Sequence, residues 1–289
     1  MKKFYLIIFV LAILFVSFFL YEKREVKILF VGDMNFDRYI RKVGENKGED
    51  YIFSCISNFL NDSDLVVGNL EGPITNNPSV SLGSVIDTPN NYTFTFPPNT
   101  AKLLAKNNIK LVNLGNNHIG NFGNEGIVST KKYLNDAGVN YIINDKIYRV
   151  KIGEKNVSFV SYNEFGGDVA EKVAQKIKIE KESGQIVFVY THWGDEYVEP
   201  PKRVKDIAKM FARAGADLIV GSHPHVILSS EKIGDTFVYY SLGNFIFDQY
   251  WNKEVSTGLV LEMNIKGDDI KIIEHKVVLG RDGRTCLEN

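Results

Sequence analysis

The sequence has little of what several common classes of protein require. Its 289 residues include only two cysteines, Cys55 and Cys286, which lie far apart and exclude both a disulfide-rich scaffold and a Cys-rich zinc site. Lys+Arg 34 nearly balance Asp+Glu 35, so the basic surplus expected of a nucleic-acid-binding protein is missing and we predict no nucleic-acid partner. Nucleophile-elbow, Walker A and His-Glu-x-x-His motifs are absent too. With 44% hydrophobic and 24% charged residues, the chain is expected to fold.

The longest apolar segment lies at the N-terminus. Residues 4–21 are apolar or aromatic with one exception, and a helix of that length reaches about 27 Å, close to the thickness of a bilayer core. Lys2 and Lys3 precede it and predict a cytoplasmic N-terminus. A cleaved signal peptide is the alternative, which the lack of an Ala-x-Ala-like site disfavours. We therefore predict a single-pass membrane anchor over 1–25 and one extracytoplasmic domain over 26–289.

Short apolar runs alternate with helical patterns along the rest of the chain. We predict strands at 26–31, 65–68, 110–114, 157–162, 186–190, 218–220, 237–241 and 258–263. We predict helices at 52–60, 100–107, 126–137 and 204–214. Because most of the strands are apolar at successive positions, they should be buried on both faces, as in an α/β domain. The segment 76–98 is expected to be a long loop that borders a site.

Metal-ligating residue types follow five of the predicted strands. In chain order they are Asp33, Glu71, Asn117 with His118, His192, and His223 with His225. Because ligands of open α/β sheets collect at the carboxyl ends of strands, we expect these residues to share one edge. Carboxylate, imidazole and amide groups suit divalent ions such as Mn, Zn or Fe. The pattern predicts a metal site.

Each of these residues has a structural explanation when it is taken alone. Asp33 could be only a turn or N-cap residue, and His192 only a hydrogen-bonded polar side chain. The pair His223 and His225 is harder to explain by packing, because both imidazoles directly follow a buried strand. Four of the five histidines lie at strand ends, and their joint occurrence favours metal ligation. The fifth, His275, is expected to be solvated.

The order of these motifs resembles that of the calcineurin-like metallophosphoesterases and, more closely, of the CapA family of poly-gamma-glutamate capsule synthesis proteins. The residues that carry the resemblance are Gly32-Asp33 with Arg38, Asn69-Leu70-Glu71, Asn116-Asn117-His118, His192-Trp193-Gly194 with Glu196-Tyr197, His223-Pro224-His225-Val226, and Tyr240 to Phe245. They extend across most of residues 26–250. The resemblance implies a four-layer αββα sandwich with a two-metal centre between its loops.

The resemblance also implies a role for each matching residue. Asp33 and His225 would bind one ion. Asn117, His192 and His223 would bind the other, with Glu71 in the bridging position and His118 beside the leaving group. Two positions depart from the pattern of the classical phosphoesterases: Asn35 replaces a metal-binding His, and Glu71 replaces the bridging Asp. A third departs from the CapA-like pattern, because Asn121 replaces the acidic residue that these proteins usually carry three positions after the His.

These observations predict a membrane-anchored, metal-dependent hydrolase that acts on a phosphoryl or acyl centre of an anionic cell-surface polymer such as poly-gamma-glutamate. Candidate substrate contacts are Arg38, Trp193, Tyr197 and Asn244. Other membrane proteins of capsule synthesis are possible partners. The alternative is a non-catalytic component that binds the polymer during capsule assembly or export, and a third interpretation is a relative that has lost the first metal ion, which Asn35 suggests.

Overall fold

The computed structural model describes residues 25–144, 146–267 and 269–288. The strands are β1 Val26–Met34, β2 Leu65–Leu70, β3 Ile109–Asn113, β4 Asn140–Ile142, β5 Tyr148–Ile152, β6 Lys155–Asn163, β7 Ile186–His192, β8 Leu218–Ser222, β9 Ser230–Ile233, β10 Thr236–Tyr239, β11 Asn244–Ile246, β12 Thr257–Lys266, β13 Asp269–Leu279 and β14 Thr285–Leu287. The α-helices are α1 Arg38–Lys47, α2 Ser57–Asn61, α3 Thr100–Lys106, α4 Gly123–Asp136, α5 Ala170–Glu182 and α6 Lys202–Ala214. Three short 3₁₀ helices cover Glu49–Phe53, Pro89–Tyr92 and Glu164–Gly166.

The strands form two mixed sheets. The first has the order β14-β13-β12-β1-β2-β3-β4, and β11 also pairs with β1. The second has the order β5-β6-β7-β8-β10-β9. Strands β1 to β4 run parallel, and so do β6, β7, β8 and β10, so each sheet presents several carboxyl ends at one edge. This arrangement concentrates the loops that follow the central strands.

Three hydrophobic cores separate four layers. The middle core joins the two sheets, with Phe30 of β1 packed edge-on against Phe188 of β7 at a centroid distance of 5.4 Å. One outer core packs α1 to α4 on the first sheet, and the other packs α5 and α6 on the second. Because alternate residues of β1 enter different cores, the strand is apolar at successive positions. The predicted four-layer αββα sandwich is confirmed.

All eight predicted strands are present, with shifted ends, as are three of the four predicted helices. The predicted helix over 52–60 is wrong in its bounds, because this stretch divides into the 3₁₀ helix Glu49–Phe53 and the short α2. Helices α1 and α5 were not predicted. They are rich in charged residues and bury only a narrow stripe, such as Ile40 and Val43 in α1, so their apolar signal is weak.

The two cysteines form a disulfide. Cys55 and Cys286 lie 231 residues apart in sequence, but their Cα atoms are 4.9 Å apart. The bond ties the segment before α2 to the last strand, β14, of the first sheet. The sequence distance gave no sign of this pairing, because the approach of the two chain segments is a property of the folded sheet.

The sequence predicted that His275 is solvated, but the structure shows that its side chain contacts two other residues. Its Nε2 lies 3.0 Å from Oε2 of Glu262, and its ring packs against Phe59 at a centroid distance of 4.9 Å.

The predicted membrane anchor over 1–25 lies outside the described residues except for Glu25. Within the described part of the chain, no helix has both the length and the apolar character needed to cross a membrane.

Candidate metal centre

The strand registers place the predicted ligands around one edge of the two sheets. Asp33 is in register with Asn69 of β2, and His192 is in register with Ser222 of β8. Glu71, Asn117, His223 and His225 lie in the loops directly after β2, β3 and β8. The backbone of Gly243 packs so closely here that a Cβ at Gly32 would lie 1.9 Å from its carbonyl oxygen. A glycine is therefore required directly before Asp33.

Glu71, His223 and His225 form the centre of the cluster. Each offers one ligand atom, and these atoms lie within 4.8 Å of one another. Both carboxylate oxygens of Glu71 are buried, and neither has a hydrogen-bond partner among the described residues. A buried carboxylate normally has donors or a cation, because an unpaired buried charge is costly. The residues therefore fit a divalent cation between the Glu71 carboxylate and the two imidazoles.

Asp33 is fixed beside this group by two donors. Its Oδ1 accepts a hydrogen bond from Asn69 Nδ2 at 2.7 Å, and its Oδ2 accepts one from the His223 backbone N–H at 3.0 Å. The same Oδ2 lies 3.6 Å from Nδ1 of His225. Each oxygen retains a second lone pair, so Asp33 remains available as a ligand while its orientation is held.

His192 and Asn117 form a second pair of potential ligands. The Ser222 hydroxyl lies 2.8 Å from the Thr191 carbonyl oxygen and 2.9 Å from Nδ1 of His192, and Asn69 Nδ2 lies 3.3 Å from the same Nδ1. On the other side of the ring, Asn117 Oδ1 lies 2.9 Å from Nε2 of His192. The imidazole and the amide oxygen are therefore close enough to share one cation.

Burial is the largest cause of the pKa shifts in these groups. It raises the pKa of Asp33 to about 7 and that of Glu71 well above its usual value. It lowers the pKa of His223 to about 4 and that of His225 to about 3, and that of His192 well below its usual value. The site thus holds neutral imidazoles and carboxylates that lack a counter-charge. A divalent cation supplies that charge.

His118 lies beside the ligands with a defined tautomer. Asn121 Oδ1 accepts from the Phe94 backbone N–H at 2.9 Å, which fixes the amide, and it lies 3.3 Å from Nδ1 of His118. The His118 proton is therefore on Nδ1, and Nε2 faces Glu71 Oε1 at 3.9 Å. Burial lowers the pKa of His118 to about 4. His118 must take up a proton at Nε2 before it can act as the general acid that the sequence predicts.

Asn35 does not present a ligand atom as a histidine at its position would. Its Oδ1 is engaged by the Asp37 backbone N–H at 2.8 Å, and the other end of the amide is the nitrogen Nδ2. This buried Nδ2 has no acceptor in the described part of the chain. An amide NH₂ group has no lone pair for a metal ion. The ion bound by Asp33 and His225 would therefore have one protein ligand fewer than the superfamily pattern provides.

We expect the substitution Asn35→Asp to tighten the binding of one metal equivalent. An aspartate keeps the acceptor for the Asp37 N–H and places an oxygen where the unpaired nitrogen lies. A gain of at least about tenfold in Mn²⁺ affinity, measured by titration calorimetry, is the expected result. The matched control is Asn91→Asp, at a buried amide of the neighbouring loop. Equal affinity of wild type and Asn35→Asp would show that this side chain does not face the ion.

Two of the four predicted substrate contacts lie at the mouth of the site. Arg38 forms an ion pair with Asp248 and lies over the rings of Phe94 and Phe247, at 5.2 and 5.4 Å from their centroids. Its charge opposes the rise in the pKa of Glu71. Tyr197 is 43% exposed, and its ring lies 6.1 Å from that of His225. Both residues have positive φ angles, 50° and 63°, which is strained backbone of the kind found at functional sites.

The other two predicted contacts, Trp193 and Asn244, are buried and do not lie at the mouth of the site. Trp193 is fully buried in the core between the second sheet and its helices, and its Nε1 donates to the Tyr240 carbonyl oxygen at 2.9 Å. Asn244 is fully buried behind His225, where its Oδ1 lies 2.9 Å from Nδ1 of the ring. Because neither side chain is accessible, neither can touch a substrate.

Sequence reasoning missed several residues that complete the site. Asn69 and Ser222 orient Asp33 and His192. Phe165 is 47% exposed, and its ring lies 4.5 Å from that of His223 at the mouth. Phe165 follows the predicted strand 157–162, so the strand-end rule that found the ligands could also have found this residue.

The predicted loop 76–98 does border the site. Asn91 lies near Arg38, and the ring of Phe94 packs against that of His118.

The four-layer sandwich and the placement of its polar residues define a metallophosphoesterase-like α/β protein. Comparison with known sequences identifies the family. The profile "Bacterial capsule synthesis protein PGA_cap" matches residues 27–249, and the chain belongs to this family.

The chain is also similar to two sequences of Bacillus. It is 32% identical over 264 residues to "PGA biosynthesis protein CapA" of Bacillus subtilis (strain 168), and the match covers 83% of this chain and 68% of that protein. It is 31% identical over 265 residues to "Capsule biosynthesis protein CapA" of Bacillus anthracis, covering 83% of this chain and 64% of that protein. The chain thus spans about two thirds of the length of these relatives.

Proposed function

We propose that this protein is a metal-dependent hydrolase that acts in the synthesis or processing of a capsule or another cell-surface polymer. The observation that carries the proposal is the Glu71 carboxylate, which is buried, has no hydrogen-bond partner among the described residues and lies within 4.8 Å of ligand atoms of His223 and His225. A structural glutamate in the same fold has partners: Glu180 is buried but accepts from Arg149 and Ser158. Glu71 is therefore better explained as a ligand than as a structural residue.

The proposal includes two divalent ions. Asp33 and His225 would hold one ion, Asn117, His192 and His223 would hold the other, and Glu71 would contribute its carboxylate to the centre. Nitrogen and oxygen ligands of this kind suit Mn, Zn or Fe. Bound ions of this type lower the pKa of water and polarise a phosphoryl or acyl group.

The chain's own residues would bind and protonate the substrate. His118 presents Nε2 to the centre, so it can take a proton at this atom and return it to the departing oxygen or nitrogen. Arg38 and Tyr197 border the mouth and would contact the substrate. A cavity of about 450 Å³ beside Tyr197 and Val226 provides room for the part of a polymer that extends away from the ions.

The substrate class comes from the relatives and stays a proposal for this chain. The Bacillus proteins are named for PGA and capsule biosynthesis, and an anionic polymer such as poly-gamma-glutamate is therefore the expected partner. Other membrane proteins of capsule synthesis are further proposed partners. Phosphoester and amide cleavage both fit the residues described above.

The proposal is tested with purified protein that starts at residue 25. We expect about two equivalents of transition metal per chain, together with turnover of a generic phosphodiester or a γ-glutamyl peptide. Both should disappear in the variants Asp33→Ala and His223→Ala. A metal-loaded protein that cleaves neither class of bond but retains poly-gamma-glutamate would identify a polymer-binding component instead. A chain that binds no metal would contradict both.

We also propose that the domain lies outside the cytoplasm. Besides the apolar segment 4–21, the support is the disulfide between Cys55 and Cys286, since such bonds persist mainly in oxidising compartments. Alkaline phosphatase fused after residue 289 should be active in cells, and thiol labelling of the denatured protein should find no free cysteine. An inactive fusion together with two reactive thiols would place the domain in the cytoplasm.

A further inference from the structure

Asn244, the first residue of β11, lies directly behind His225. It is fully buried, and its Nδ2 lies 2.9 Å from the Val255 carbonyl oxygen and 2.9 Å from Gln249 Oε1. A backbone carbonyl can only accept a hydrogen bond, so this contact fixes which end of the Asn244 amide is nitrogen. The amide oxygen is thereby directed at Nδ1 of His225, at 2.9 Å.

This contact determines which nitrogen of His225 carries the proton. Because Asn244 Oδ1 is an acceptor, the neutral ring donates to it from Nδ1 and keeps its lone pair on Nε2. Nε2 is the atom that faces Glu71, with Oε1 at 3.7 Å. Asp33 Oδ2 also lies near Nδ1, but its distance of 3.6 Å is too long for a hydrogen bond.

Asn244 is itself held from several sides. Its backbone is in register with Asp33 of β1, so the residue moves with the strand that carries a ligand. Gln249, which accepts from Asn244, donates from Nε2 to the Tyr197 hydroxyl at 3.2 Å. The orientation of His225 is therefore tied both to β1 and to an exposed residue at the mouth of the site.

We propose that Asn244 is a positioning residue that holds His225 in the Nδ1-protonated tautomer, so that Nε2 is presented to the metal ion and Asp33 stays free to bind the same ion. The effect on metal affinity rests on the proposed metal centre, whereas the tautomer of His225 does not depend on it. Partners of this kind behind a histidine ligand fix its tautomer and its basicity, and their loss typically costs about 10 to 100-fold in metal affinity.

The test begins with the metal-free wild-type protein. ¹⁵N NMR of the histidine side chains, with His225 assigned through His225→Gln, should show His225 protonated on Nδ1. Asn244→Leu removes the acceptor and should lose this signature, and its affinity for Mn²⁺ should fall about 10 to 100-fold. Asn244→Asp keeps an acceptor at Nδ1 but loses the donor to the Val255 carbonyl oxygen and to Gln249. It should therefore be less stable than the wild type and yet restore the signature and most of the affinity, which a purely structural role would not predict.

The matched control is Asn107→Leu. Asn107 is also a buried amide that donates to a backbone carbonyl, that of Leu103, but it lies at the end of α3. Its loss should reduce stability and leave both the NMR signature and Mn²⁺ affinity unchanged. Nε2-protonated His225 in the wild type, or Mn²⁺ binding by a folded Asn244→Leu variant at wild-type affinity, would overturn the inference. If the wild type binds no Mn²⁺, the proposed function fails, whereas the tautomer still decides whether Asn244 positions the ring.

Discussion

The substitution Glu71→Gln is expected to abolish metal binding and, at the same time, to make the metal-free protein more stable. The wild-type side chain buries two carboxylate oxygens without a hydrogen-bond donor on the described chain, and burial raises its pKa well above the usual value. A neutral amide of nearly the same shape removes the cost of that charge. We expect a gain of about 1 to 3 kcal/mol in the free energy of unfolding and a loss of at least about 100-fold in Mn²⁺ affinity.

The pH dependence of this gain has a definite sign. Glu71 binds its proton more tightly in the folded than in the unfolded state, so the wild-type chain loses stability as pH rises from the unfolded pKa near 4.5 through the higher folded value. Glu71→Gln lacks this loss. Its advantage over wild type, measured by urea denaturation in the presence of a chelator, should therefore be small at pH 4 and largest above the folded pKa.

Glu180→Gln is the matched control for Glu71→Gln. Glu180 is also a buried glutamate, but Arg149 and Ser158 donate to it, and these bonds lower its pKa. The same substitution there should destabilise the protein and leave metal binding intact. If Glu71→Gln behaves like Glu180→Gln in both measurements, Glu71 is a structural residue and the centre must be sought elsewhere.

His118→Ala is expected to remove turnover while metal binding is retained. The His118 ring does not complete the ligand set, but its Nε2 faces Glu71 and is the atom that would take up and return the proton. Loss of a general acid or base typically costs about 100 to 10,000-fold in rate. We expect kcat for the best substrate of the screen to fall by this factor, with an unchanged metal content by elemental analysis.

Asn121→Asp provides the complementary test for His118. A carboxylate at this position still accepts from the Phe94 N–H and from Nδ1 of His118, and its charge should raise the pKa of the ring above about 4. The limb of the pH–rate profile that reports His118 should move to higher pH.

The outcome that contradicts this role for His118 comes from the alanine variant. A His118→Ala variant that turns over at the wild-type rate, or one that loses its metal, would show that His118 is not the proton carrier.

The sequence predicted the ligands better than their surroundings, for a physical reason. Asp33, His192 and His223 lie at the carboxyl ends of buried parallel strands, and the pattern of apolar runs locates such ends without knowledge of the rest of the fold. The roles of Trp193 and Asn244 could not be assigned in this way. Whether a polar side chain at a strand end faces the mouth or the interior depends on how neighbouring strands pack, among them β11, which has only three residues and is not predicted from the sequence.

Contacts between distant segments were also beyond the sequence. The pairing of Cys55 with Cys286 arises because β14 lies beside β13 at the edge of the first sheet. The amino-acid sequence alone does not show that β14 and the segment around Cys55 come together. The tautomers of His118 and His225 depend on amide groups that are oriented by the backbone N–H of Phe94 and the carbonyl of Val255. Such bonds exist only once the loops are folded.

The central claim is that Glu71, His223 and His225 hold a divalent cation, and anomalous X-ray diffraction tests it most directly. Crystals grown with excess Mn²⁺ and measured above the manganese absorption edge should show a peak within ligand distance of all three side chains, with a second peak about 3.5 to 4 Å away, towards His192 and Asn117. An anomalous map with no peak near Glu71 at saturating Mn²⁺ would contradict the account.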